Sequence, residues 1–127
     1  MTCEDPVTEP ITLYKGETTV MRITVIREDD GLRENLTTAS NIEWQLKTAP
    51  GAADAPLISK SLGSGVVLLT QSGDTLGQFE VTLLSADTSA LAAGVYYYDA
   101  VVVMPGAVRH YVIRPSKATI KDVVNGA

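Results

Sequence analysis

A chain of 127 residues, 45% apolar and with a formal net charge of −5, is one domain by size and long enough to bury about two-thirds of its unfolded surface without a staple. Its ten Lys and Arg residues are scattered from Lys15 to Lys121, so no basic patch invites nucleic acid or an anionic membrane. The single cysteine, Cys3, cannot form an internal disulfide. The start Met-Thr-Cys-Glu-Asp-Pro lacks the apolar run of a signal peptide, and no segment approaches the roughly 18 apolar residues of a membrane span.

Residues 1–10 carry Cys3, Glu4, Asp5, Pro6, Glu9 and Pro10 and read as an extended N-terminal arm. The folded domain is expected over 11–124, with a tail at 125–127. Ile11 to Lys15 is a short strand ending at Gly16. Thr18 to Arg27 is a longer one, with Met21, Ile23 and Val25 inward. Asp29-Asp30-Gly31 is a turn signal. Asn41 to Thr48 alternates cleanly: Ile42, Trp44 and Leu46 face in, Glu43, Gln45 and Lys47 face out, the pattern of a half-buried strand.

The small, proline-bearing run 49–56 leads to a strand over Leu57–Leu62. This strand is expected at an edge, because Lys60 discourages edge-to-edge pairing. Val66 to Thr70 and Gln78 to Leu84 are further strands, the second with Phe79, Val81 and Leu83 inward. Ser85 to Ala93 is the one helical candidate, about two turns, capped by Ser85 or Asp87 and closed by Gly94 as its C′ residue. Val95 to Met104 and Ala107 to Arg114 are the arms of a hairpin around Pro105-Gly106. Proline cannot supply the positive φ that a two-residue hairpin turn wants, so a longer loop is expected. Residues 117–124 form a last strand.

The strand Val95–Met104 carries the central question. Tyr96, Tyr98, Ala100, Val102 and Met104 share one side; Val95, Tyr97, Asp99, Val101 and Val103 share the other. A strand with one face in water alternates apolar and polar, and this one has a single charge, Asp99, on its second face. Either that face is covered within the chain, with 49–65 folded over it, or Val95, Tyr97, Val101 and Val103 sit against a neighbouring subunit. Arm 1–10 and tail 121–127 are the alternative contact elements.

The search for chemistry finds no catalytic set. His110 has no accompanying nucleophile signature and reads as a structural histidine. One His and one Cys cannot make a structural zinc site. Asp29, Asp30 and Glu34 lack the spacing of a calcium loop and read as a solvated turn. No phosphate loop is present. No cofactor is expected, and neither is a small-molecule ligand. With about eight short strands, turn signals between them and one helical turn, the expectation is an all-β, antiparallel sandwich.

Leu91-Ala92-Ala93-Gly94-Val95-Tyr96 resembles the corner before strand F of immunoglobulin-like sandwiches, where a Gly-x-Tyr places a tyrosine whose hydroxyl bonds back to the corner backbone. The resemblance implies that role for Gly94 and Tyr96. The antibody-type disulfide is missing, since Tyr98 stands where its second cysteine would be. More of the chain is similar to immunoglobulin-like domains of tailed-phage virion proteins, such as the N-terminal domain of baseplate upper proteins. The pieces are Leu13-Tyr14-Lys15-Gly16-Glu17, Met21-Arg22-Ile23-Thr24-Val25, Leu36-Thr37-Thr38-Ala39 before Ile42-Glu43-Trp44, Leu57-Ile58-Ser59-Lys60-Ser61, Val81-Thr82-Leu83, and Asp87 through Asp99.

The resemblance implies an immunoglobulin-like fold with Trp44 and Phe79 in its core. It implies a non-enzymatic structural part of a virion, in head, neck, tail or baseplate, assembled in the host cytoplasm. Its partners would be other virion proteins or copies of itself. The alternative is a receptor- or glycan-binding module on the virion surface, which predicts exposed aromatics in loops; of the tyrosines in the 96–98 run, only Tyr97 points away from the main core.

Overall fold

The structure, a computed structural model, describes residues 10–26, 30–49 and 55–122, without the side chain of Arg114. Arm residues 1–9, Cys3, Asp29, residues 50–54 and the tail at 125–127 lie outside the described residues.

The protein is all-β. The described residues form eight strands, β1 (Ile11–Tyr14), β2 (Thr19–Thr24), β3 (Asn41–Lys47), β4 (Ile58–Leu62), β5 (Gly65–Leu68), β6 (Gln78–Leu83), β7 (Gly94–Met104) and β8 (Val108–Lys121). One short helix, α1 (Ser85–Ser89), precedes β7, and a 3₁₀ turn at Gly73–Thr75 precedes β6.

Hydrogen bonding runs through all eight strands in the order β1-β8-β7-β3-β4-β5-β6-β2. The result is one rolled, barrel-like sheet rather than two separately bonded ones. Its two ends face each other across a cavity of about 160 Å³, lined by Ile11 of β1 and by Met21 and Ile23 of β2. Nor is the sheet wholly antiparallel. β1 runs parallel to β8, and β4 runs parallel to β5 over only two residue pairs, Ser61↔Gly65 and Leu62↔Val66.

Period-two patterning explains the core. Along β3 the inward Ile42, Trp44 and Leu46 are buried while Glu43, Gln45 and Lys47 are half-buried. Along β6 the buried residues are Phe79, Val81 and Leu83. Trp44 and Phe79 are fully buried. The Trp44 and Tyr98 rings meet with centroids 5.5 Å apart and planes tilted by 30°, within the range where aromatic pairs attract. The cross-strand neighbour of Trp44 on β7 is Ala100, whose small side chain leaves room for the indole.

Three expectations need correction. The strands expected at 107–114 and 117–124 are one continuous strand, β8. Pro115, which lies between the two expected strands, lacks a ladder donor, but proline is admitted at bulges, and the β7–β8 register shifts on both sides of Ala100. Lys60 does not guard an edge: β4 lies between β3 and β5, and Lys60 Nζ pairs with Asp87 at 2.8 Å, both side chains mostly covered. Finally, α1 ends at Ser89, with Ala90 as its C-cap, so Gly94 does not close the helix but opens β7. The N-cap is Leu84. Its backbone N–H donates to the Asp87 carboxylate at 2.7 Å, leaving Asp87 in the N3 role of a capping box.

The hairpin loop is Pro105-Gly106-Ala107, three residues between the paired Met104 and Val108. Gly106 has φ +83° and Ala107 φ +59°, so an L-residue occupies the left-handed region at a cost of about 1 kcal/mol.

Candidate functional site

The outer face of β3, β7 and β8 gathers the residues that carry the open question. Register sets the arrangement. On β7, Tyr97 faces Lys47 and Lys117, Asp99 faces Gln45, Val101 faces Glu43 and Tyr111, and Val103 faces Asn41 and Arg109. The apolar outer row is thus flanked by long polar side chains on both neighbouring strands. Arg109 Nη2 donates to Glu43 Oε1 at 3.2 Å. Because Glu43 and Arg109 stand on the strands either side of β7, their bridge crosses over it. Val101 is only 3% exposed. Tyr97 and Val103 are half-buried, and Val95, beyond the reach of the bridge, is 53% exposed. The four residues expected to behave alike therefore divide, with Val101 covered within the chain.

Arg109 keeps more than half of its side chain in water, so the bridge contributes little to stability, about 0–1 kcal/mol. Its effect is geometric. The bond to Glu43 and the Glu43 charge hold the Arg109 guanidinium still more firmly protonated and keep it reaching across β7.

Beside the bridge lies a pocket of about 110 Å³ lined by Gln45, Lys47, Tyr97, Asp99, Tyr111 and Pro115, among others. It opens where the β7–β8 register shifts. β8 carries extra residues there, with Pro115 in the lining, and Tyr111, 48% exposed, forms one wall. Half-buried Asp99 lines the pocket. Burial pushes its carboxyl above the ordinary carboxylate range; Lys47 pulls the other way, Glu43 adds to the rise, and Arg109 opposes it.

Sequence reasoning marked Asp99 and Tyr97 but missed Tyr111, Pro115 and the Glu43–Arg109 bridge. The available signal was the outward set Glu43, Gln45 and Lys47 on β3, which needed only a β3–β7 register to be placed beside Asp99.

The corner before β7 is the second feature. Tyr96 Oη donates to the Ala92 carbonyl at 2.7 Å. The helix that feeds the corner is held from three sides. The Gly16 N–H donates to the buried Thr88 Oγ1 at 2.9 Å, Lys60 pairs with Asp87, and the Leu84 N–H caps the same carboxylate. Burial alone would raise the Asp87 carboxyl, but the Lys60 bond, the Leu84 N–H and the Lys60 charge outweigh it and hold the group below its usual range. Removing the corner hydroxyl by Tyr96→Phe is expected to cost about 0.5–1 kcal/mol, the low end for one partly exposed hydrogen bond, read as a melting temperature lower by about 2–5 °C.

The remaining sequence candidates stay apart. His110 is half-buried opposite Val102, with Nε2 buried and without a partner. Among the described residues no three His, Cys, Asp or Glu side chains converge as metal ligands, and no helix is long and apolar enough to cross a membrane. The chain matches no protein-family model and no curated protein.

Proposed function

We propose that this chain is a non-enzymatic structural component of a tailed-phage virion, an immunoglobulin-like sandwich that works by protein–protein assembly. The observation that carries the reading is the strand order. Opened at the two-residue β4–β5 link, the sheet divides into β1-β8-β7-β3-β4 and β5-β6-β2. This parallels immunoglobulin-like sandwiches in that a sheet holding B and E faces a sheet built on C, F and G, although β1 joins the latter sheet here. On that assignment β7 is strand F, and the Tyr96–Ala92 bond falls where the tyrosine corner belongs. Of the segments that carry the sequence resemblance, Leu36–Ala39 leads into β3, Leu57–Ser61 overlaps β4, and Asp87–Asp99 spans the corner.

On this reading the β3–β7–β8 face, part polar and part apolar, is the surface that meets other virion proteins or copies of the chain, with assembly in the host cytoplasm. Cryo-electron microscopy and peptide mass spectrometry of particles purified from the phage that carries the chain provide the test. The expected result is the chain in fixed stoichiometry with the particle and a β-domain of this shape in the map. Recovery of the chain only outside particles would overturn the reading. A glycan array binding specifically through Tyr97 or Tyr111 would instead favour a surface receptor-binding module.

A further inference from the structure

We propose that the pocket between Tyr97, Asp99 and Tyr111 receives the guanidinium of an arginine side chain presented by a partner protein. Size comes first. Pockets for whole small molecules run to about 300–1,000 Å³, whereas this one holds about 110 Å³, room for the head of one side chain but not for a sugar or a nucleotide. Chemistry comes second. A carboxylate and two tyrosines lining one small pocket combine a charge-assisted acceptor with aromatic rings, and guanidinium can use both at once, stacking through its plane and bonding through its edge.

Charge balance comes third. The charged groups facing Asp99 are Lys47 and Glu43 on β3 and Arg109 on β8. Arg109 is already committed to Glu43. The attraction of Lys47 does not offset the burial of Asp99, whose carboxyl stays above its ordinary range. A cation brought against Asp99 opposes the effect of its burial in the same sense as Lys47 and Arg109, and the chain's net charge of −5 favours basic partners. The proposal rests on the assembly reading only for the source of the arginine.

The test is a ¹H–¹⁵N titration of the full chain with N-acetylarginine N-methylamide, with the glutamate analogue as control. Saturable shifts are expected at residues 97, 99 and 111, with a Kd on the order of 1 mM, as suits one side-chain contact. Asp99→Asn should weaken binding about tenfold, the loss of one charge-assisted hydrogen bond. Should Asp99→Asn disturb the fold, Tyr111→Ala, at an exposed strand position, should weaken binding by removing one wall. Absence of shifts at these residues, equal shifts with the glutamate analogue, or unchanged binding in a folded variant would each overturn the proposal. A particle component with an indifferent pocket would sink this proposal alone, while a chain absent from particles that still binds the arginine analogue would sink the assembly reading alone.

Discussion

Trp44→Ala should destabilise the fold by about 3–5 kcal/mol, the range for truncating a large buried aromatic. Trp44 is fully buried at the middle of β3, flanked by β7 on one side and β4 on the other. Its ring lies against Tyr98, and the cavity left by the indole would be walled by elements that cannot follow it inward. Total stabilities of domains lie at about 5–15 kcal/mol, so one such loss takes a large share. The indole also carries a liability: its Nε1 is buried and meets no acceptor. Trp44→Phe deletes that orphan donor while keeping an aromatic ring beside Tyr98, and should cost much less than the alanine variant. Urea denaturation followed by far-ultraviolet circular dichroism checks both, since the only tryptophan is then absent as a fluorescence probe. A loss below about 1 kcal/mol for Trp44→Ala would show that the β3–β7 pairing does not seal the core.

How far the sequence reaches follows from which interactions are local. β3 and β6 are legible because each has one face in the core, so Ile42-Glu43-Trp44-Gln45-Leu46 states its own orientation. The corner is legible because Tyr96 and Ala92 are four residues apart. β8 is not legible. The sequence divides it at 114–117, and only pairing with β7 shows that the ladder runs on through Pro115, with the register shifting at bulges. The true role of Lys60 is hidden for a similar reason: its partner Asp87 lies on a helix 27 positions away, in a segment whose approach depends on the whole β4–β5–β6 path.

The candidate pocket suffers most. Tyr97 and Asp99 follow from alternation, but Tyr111 and the Glu43–Arg109 bridge follow from register. That register depends on a three-residue turn with Ala107 in the left-handed region and on two bulges. A shift of one residue would turn Tyr111 inward and separate Arg109 from Glu43.

Gly77→Ala should cost about 2–5 kcal/mol, although it adds one methyl group at a turn. Two independent terms combine. Gly77 has φ +77°, where any L-residue is disfavoured by about 1–2 kcal/mol. A Cβ there would also come within 2.9 Å of the Val25 carbonyl oxygen and 3.1 Å of that of Glu34, and overpacking of this kind adds about 1–3 kcal/mol. These neighbours are backbone, so no rotamer change relieves them. They are also held in place: the Val25 N–H donates to the Gly77 carbonyl at 2.8 Å and the Glu34 N–H to the Val25 carbonyl at 3.0 Å.

Gln71 tightens the same junction, its Oε1 accepting from the N–H groups of Gly77 and Leu36 at 3.1 and 2.9 Å. The methyl group would therefore push apart the end of β2 and the segment that leads through buried Leu36 to β3. Gly63→Ala separates the two terms. Gly63 has φ +85°, but nothing lies within 4 Å of its Cβ position, so it should lose only the conformational part. Thermal melts of the two variants should differ by the crowding term, with Gly77→Ala the lower. Equal melting temperatures would mean that the β2 end and the Leu36 segment yield to the methyl, and that this corner of the sheet is not rigidly packed.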